Sequence, residues 1–486
     1  MALAPNLSEV TSGRASTLNR HLELSEDQMR RLGYQAIDMV IRHLTQIREK
    51  KVMNYKSESV LDQLLNDRLP LEGSPPEYVL DDVQNRVFSN ITHHDHPRFF
   101  AFVPGPGNFP GAVAECLTNG FNVFSGTWIG GAGAAEIELI VIDWLRTLCG
   151  FPAQARGVFL SGGSEAGLVA MATARNALLD NKTADATIYC SDQTHKSIDR
   201  DLWLLGFPRE NIRRLPSLED YTLDLNALAE AVRRDRKAGM RPFCLVINTG
   251  TTNTGSIDPI QGAADFCEEE GMWLHADGAY GAGSIFSTRG REMLAGLDRV
   301  NSIGMDPHKW MFQPYSCGCL IVREGVHLRR TFQYRAEYLK LVDDSLERNF
   351  CDYGIQLTRD FRVLKLWLSL KIFGAESFGK AQDWGMYLAE EAERAARTLP
   401  NWEVVTQAKL AVLTLRYAPP GTREDERNAL NEAIVDQFNQ EGYGMVIHTR
   451  LRERTVIRMC TINPRTEVSE IHETLIKLDE IARSLA

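Results

Sequence analysis

Ser302-Ile303-Gly304-Met305-Asp306-Pro307-His308-Lys309-Trp310 is a short apolar run that ends in a proline turn and one lysine. It reads as a buried strand whose last residues turn sharply and deliver Lys309 to whatever lies at the strand's end. Alone, a lysine after a strand is more often a solvated surface charge. Two upstream stretches change that reading. Met272-Trp273-Leu274-His275-Ala276-Asp277-Gly278-Ala279-Tyr280-Gly281 is a second short apolar strand, closing on Asp277, 32 residues before Lys309. Leu160-Ser161-Gly162-Gly163-Ser164-Glu165-Ala166 reads as strand, glycine turn and helix start. An anion cradle, a carboxylate and a lysine, each at a strand end in an α/β pattern, are what a pyridoxal phosphate site requires.

The chain of 486 residues is long enough for a large core and for two to four domains. Its 54 basic and 64 acidic residues give a formal charge of -10, which argues against a general nucleic-acid or membrane-surface binder and for small-molecule chemistry. Nine scattered cysteines without metal-ligand spacing point to reduced thiols rather than a disulfide framework. Cys317 and Cys319 read as small buried apolar residues in a strand. The stretch 1–17 shows no basic start with an apolar core, and no run approaches the length of a membrane span, so a cytoplasmic protein is expected.

Ser25-Glu26-Asp27-Gln28 predicts a capping box and a helix to about Glu49, with Met29, Leu32, Ala36, Met39, Val40, Leu44 and Ile47 along one face. Leu69 to Pro76 reads as a linker. His93, His94, Asp95 and His96 do not repeat on one face of a helix or strand, and no metal is expected there. Pro104 to Pro110 reads as a loop shaping a pocket. Short β-rich runs follow at 158–160, 187–190, 243–247, 273–276, 302–305 and 319–322, most separated by helix-length intervals. They predict a mostly parallel sheet covered by helices. Beyond a long helical stretch to Pro400, runs at 404–405, 412–415, 444–447 and 455–458 interleave with two helices as a small α+β domain. The expected division is an N-terminal helical dimerisation segment over 1–110, a large α/β domain over 111–390 and the small domain over 391–486.

The strings HADGAYG and DPHKW, with SGGSEA and SDQTH upstream, resemble the group II pyridoxal phosphate-dependent amino acid decarboxylases, and among them the aromatic-L-amino-acid decarboxylases. The resemblance runs from about Ser25 to near the C-terminus. It implies the fold-type I architecture, like that of aspartate aminotransferase, and a homodimer in which the N-terminal helix packs across subunits.

The resemblance also gives each site residue a role. Gly163 and Ser164 match phosphate-contacting positions, where two glycines let the backbone approach an anion and a helix start points its amides at it. Asp277 matches the partner of the pyridine nitrogen. At about 4 Å and an effective dielectric near 20, it stabilises the protonated ring by about 4 kcal/mol, or roughly three pKa units. As a bare residue it is equally an ordinary helix cap after a strand. His195 matches the histidine stacked on the ring; Thr252 and Ala279 match positions beside the cofactor. His308 matches a phosphate-side residue, and Lys309 the Schiff-base lysine. At Asp306 the sequence departs, because the aromatic relatives carry asparagine there. An aspartate repels a phosphate, so no direct contact is expected. Tyr338, 29 residues beyond Lys309 in a polar stretch read as a lid, falls at the place of the tyrosine that reprotonates the quinonoid α-carbon. Tyrosine rather than phenylalanine there favours an amine over an aldehyde product.

Phe102, Val103, Phe124, Trp128 and Thr358 match the substrate side-chain pocket, some of them contributed by the other subunit, and suit an aromatic or apolar group. Thr358 replaces a glycine that helps admit large rings. Arg98 and His94 would instead suit an acidic side chain. The expected reaction turns an L-amino acid, aromatic before acidic or aliphatic, into its amine and carbon dioxide. An aromatic aldehyde synthase and a non-catalytic pyridoxal phosphate-binding protein are the alternatives. No nucleic acid, membrane or metal is expected as a partner.

Overall fold

The structure is a computed structural model that describes residues 22–333 and 347–486. The chain divides into two compact units that meet between Thr92 and His93.

In the first unit, Ser25 closes the expected capping box: the Gln28 amide donates to its Oγ at 3.3 Å and its own amide donates to Gln28 Oε1 at 2.9 Å. The helix runs over Glu26–Thr45 and ends in a 3-10 turn, Ile47–Glu49. None of its residues is buried, although its apolar face is continuous. The linker gives way to helix Pro76–Asp82, which Pro76 opens because a first-turn residue needs no amide donor. Arg86 ties the unit together through the Leu64 carbonyl and the carboxylates of Asp67 and Asp82.

The second unit contains two sheets. The larger has seven strands: β1 Arg156–Leu160, β2 Ala186–Ser191, β3 Ile212–Leu215, β4 Arg241–Asn248, β5 Trp273–Gly278, β6 Ser302–Met305 and β7 Gly318–Val322. Their order is β1-β7-β6-β5-β4-β2-β3, and only β7 runs against its neighbours. The near-unbroken apolar runs in β4 to β7 follow from burial on both faces. β3 was not anticipated, because Ile-Arg-Arg-Leu on a half-covered edge carries no apolar periodicity.

The smaller sheet is antiparallel, β10-β11-β9-β8, from β8 Trp402–Lys409, β9 Val412–Tyr417, β10 Ile447–Leu451 and β11 Arg454–Cys460. Helices Glu424–Glu441 and Val468–Leu485 bury Ile434, Phe438, Ile471 and Leu478 in its core. The expected strand at 444–447 lies instead at Ile447–Leu451, an edge strand with alternating exposed residues. Among the described residues, no helix is long and apolar enough to cross a membrane.

The parallel strands point their C-terminal ends one way. Asp277 at the end of β5 sits opposite Asn248 of β4 and Gly304 of β6. Because β7 is antiparallel, its first residue, Gly318, arrives at that same edge, where a Cβ would fall 2.5 Å from the Gly162 Cα. The missing side chain lets the glycine turn after β1 close down on the sheet.

Candidate active site

A cavity of about 490 Å³ opens at these strand ends, and the small sheet supplies one wall through Ile447, His448, Thr449 and Arg458. The structure brings Gly163, Ser164, His195, Thr252, Asp277, Ala279, His308, Lys309, Phe102 and Val103 to it. It does not bring Phe124, Trp128 or Thr358 to the cavity. The helix Trp128–Leu148 and the segment around Leu357 gather those three elsewhere: Asn349 Oδ1 accepts from the Trp128 amide at 2.8 Å, and Gly126 packs between Leu357 and Phe124. Tyr338 lies outside the described residues.

Lys309 follows β6 through the turn Asp306-Pro307-His308, and its amide bonds back to the Asp306 carbonyl at 2.9 Å. Its Nζ lies 2.9 Å from Asp306 Oδ2. Burial lowers the pKa of this amine, but Asp306, with Asp277 and Tyr315, outweighs it, so the net shift is upward. His308 is held by the Cys317 amide, which donates to Nδ1 at 3.1 Å, leaving Nε2 facing Asp306 at 3.6 Å. Burial pushes the His308 imidazole down, so it stands neutral.

Asp277 bonds the Ala279 amide through Oδ1 at 3.2 Å, and its carbonyl accepts from the Thr249 amide at 3.0 Å. Two residues earlier on the same face of the strand, buried His275 hydrogen-bonds Ser302 Oγ at 2.8 Å, and burial drops its pKa to about 4. His195 accepts the Ser197 amide on Nδ1 at 3.2 Å, which directs its remaining proton to Nε2. On the turn, the first intrahelical bond runs from the Ala166 amide to the Gly162 carbonyl, and the amides ahead of it begin helix Gly163–Leu179 at the cavity wall.

Sequence reasoning missed Arg458. Its side chain is fully buried, Nε donates to the Thr252 carbonyl at 2.5 Å, Nη1 donates to the Phe102 carbonyl, and Nη2 has no partner. The signal was an arginine set into the apolar strand run Thr455-Val456-Ile457-Arg458-Met459. Phe102, at the rim, takes φ 50°, a strained backbone for a bulky side chain. Arg98 is engaged elsewhere, with Glu470 at 3.2 Å and over the Tyr443 ring, and it does not line the cavity.

The model of the pyridoxal-dependent decarboxylase conserved domain matches residues 59–418. An aromatic-L-amino-acid decarboxylase of Bacillus atrophaeus is 43% identical over 96% of this chain and 98% of its own. A phenylacetaldehyde synthase of Arabidopsis thaliana is 30% identical over 95% of this chain and 97% of its own. Among solved structures, Oryza sativa TDC with PLP and tryptamine superposes with a TM-score of 0.91 at 26% identity, covering 95% of this chain and 99% of that one. A chain matched over so much of its length, with a lysine, a carboxylate and a glycine turn converging at strand ends, belongs to the pyridoxal-dependent decarboxylase family. It has the family's fold-type I architecture and is a pyridoxal phosphate-dependent amino acid decarboxylase.

The residues present fit that cofactor. A Cβ on Gly163 would come within 3.1 Å of both Asp306 Oδ2 and the Ala279 Cβ, so the turn has no room for a side chain, and its residues Gly162, Gly163 and Ser164 line the cavity together with Asp277 and Lys309.

Proposed function

We propose that this enzyme decarboxylates an aromatic L-amino acid to its amine and carbon dioxide, with Lys309 holding the cofactor. The observation that carries the reading is the convergence of Lys309, Asp277 and the Gly162–Ser164 turn on one cavity, with each side chain fixed by its own strand end. Pyridoxal phosphate, when bound, supplies an electron sink for the pair left as the carboxylate departs. Asp277 would hold a proton on the ring nitrogen, His195 would cover the ring face, and Gly163 and Ser164 would take the phosphate. Arg458, a buried guanidinium at the cavity wall whose Nη2 has no hydrogen-bond partner, suits the carboxylate of an incoming amino acid. Tyr338 is assigned the proton returned to the α-carbon.

Phe102 and Val103 form an apolar rim suited to an aromatic side chain. The relative from Bacillus atrophaeus, named for aromatic amino acids, supports this. Arg98, the residue an acidic substrate would need, is already held by Glu470. Phe124, Trp128 and Thr358 join the pocket from a second copy of the chain. Exposed Phe121, Ile129, Ile355 and Leu357 around them, and the uncovered apolar face of helix Glu26–Thr45, support a homodimer. Nine cysteines, with no disulfide among the described residues, suit the cytoplasm.

The test is Lys309→Ala. The reading requires loss of the cofactor's lysine-dependent absorbance together with carbon dioxide release; persistence of that absorbance would remove Lys309 from the site.

A further inference from the structure

Asp306 is an acid where the phosphate cradle would call for a donor. Its side chain is buried to 2% exposure, Oδ2 faces Lys309 at 2.9 Å and His308 at 3.6 Å, and Oδ1 has no hydrogen-bond partner. A Cβ on Gly163 would touch Oδ2 at 3.1 Å, and one on Gly162 would lie 3.8 Å from Oδ1. The carboxylate therefore packs against the glycine turn that would take the phosphate oxygens, and both line the same cavity. This rests on the phosphate placement proposed above.

A carboxylate and a phosphate dianion are both pure acceptors. Side by side in a buried site, with one carboxylate oxygen unpaired, they repel unless a proton lies between them. An asparagine would supply its own N–H; an aspartate does so only when protonated. The other ionisable groups around Asp306 do not remove the conflict. Lys309 is claimed by the cofactor's aldehyde once the site is loaded. His308 is neutral, and its Nε2 lies beyond hydrogen-bond reach. Tyr315, Cys317 and Cys319 are held in their neutral forms by burial. Glu165 and Asp277, on the same cavity wall, add negative charge.

We propose that Asp306 and the cofactor phosphate share one proton, taken from solvent as the cofactor binds, so that loading tightens as pH falls. Free phosphate monoesters lose their second proton near pH 6, with a pKa of about 6. A shared proton would keep the bound group singly charged well above that.

Phosphorus NMR of the cofactor-loaded protein between pH 6 and 9 tests this. Wild type should show a protonated-type resonance at pH 8, and Asp306→Asn should move it to the dianion position and remove about tenfold of the pH dependence of cofactor affinity per pH unit. A wild-type resonance at the dianion position throughout overturns the shared proton, and this outcome does not depend on the variant folding. It leaves the site reading intact provided the Lys309-dependent absorbance is present. A resonance matching free cofactor, without that absorbance, overturns both.

Discussion

Arg458 of the small sheet donates its Nε to the carbonyl of Thr252, on the loop after β4 of the large sheet, at 2.5 Å. One guanidinium thereby joins the two sheets of the second unit, at a residue that lines the cavity between them and whose Nη2 is buried without a hydrogen-bond partner. Arg458→Lys keeps the charge but loses the planar fork, so the account expects KM for the amino acid to rise about tenfold or more, with the cofactor still bound. Steady-state kinetics beside a cofactor absorbance spectrum checks both parts.

In the proposed reaction Asp277 carries the electronic part. Replacing it with asparagine removes a stabilisation of about 4 kcal/mol from the protonated ring, equivalent to a fall in kcat of about three orders of magnitude. The cofactor should remain attached to Lys309, because Asp277 and the lysine occupy separate strand ends. Single-turnover release of carbon dioxide, read beside the cofactor absorbance, measures it.

These strand ends were legible from the sequence because each motif couples an apolar run to a change of residue type. His-Ala-Asp-Gly and Asp-Pro-His-Lys-Trp give both the strand and the residue it delivers. Arg458 was not legible, since its role depends on a sheet from a distant part of the chain packing against the loop of Thr252. Edge strand β3 is missed, and β10 starts three residues later than expected, for a related reason: exposure replaces the apolar period with arginine, histidine and threonine. From charge alone Asp306 is a residue a phosphate avoids, yet it borders the glycine turn, a proximity set by β6 and β1 being drawn together through β7.

Asp201 links stability to pH. It is 2% exposed, Oδ2 has no partner, and a Cβ at Gly167 would fall 2.6 Å from that oxygen. Burial, reinforced by the charge of Asp277, raises its carboxyl to about 7 from an ordinary 3.8. Between those values only the folded chain holds the proton, so its contribution is present at low pH and lost as pH rises towards 7, at no more than about 1.4 kcal/mol per pH unit. Asp201→Asn should therefore gain stability over wild type as pH goes from 5 to 7.5. Denaturant unfolding of both proteins at each pH measures the difference; a difference independent of pH would contradict it.

Tyr338 lies outside the described residues, and its role rests on the sequence. Tyr338→Phe should leave carbon dioxide release intact while, with dioxygen as the oxidant, the organic product shifts from amine to aldehyde, releasing ammonia and hydrogen peroxide. Product identification by mass spectrometry reads the change directly, and an unchanged amine would remove Tyr338 from proton return.

Decarboxylation of an aromatic amino acid is tested by supplying the purified protein with pyridoxal phosphate and a panel of L-amino acids, measuring carbon dioxide and identifying each product by mass spectrometry. The account predicts amines from phenylalanine, tyrosine, dihydroxyphenylalanine or tryptophan, with Thr358 disfavouring the indole. Turnover confined to aspartate, glutamate or a diamino acid would contradict it.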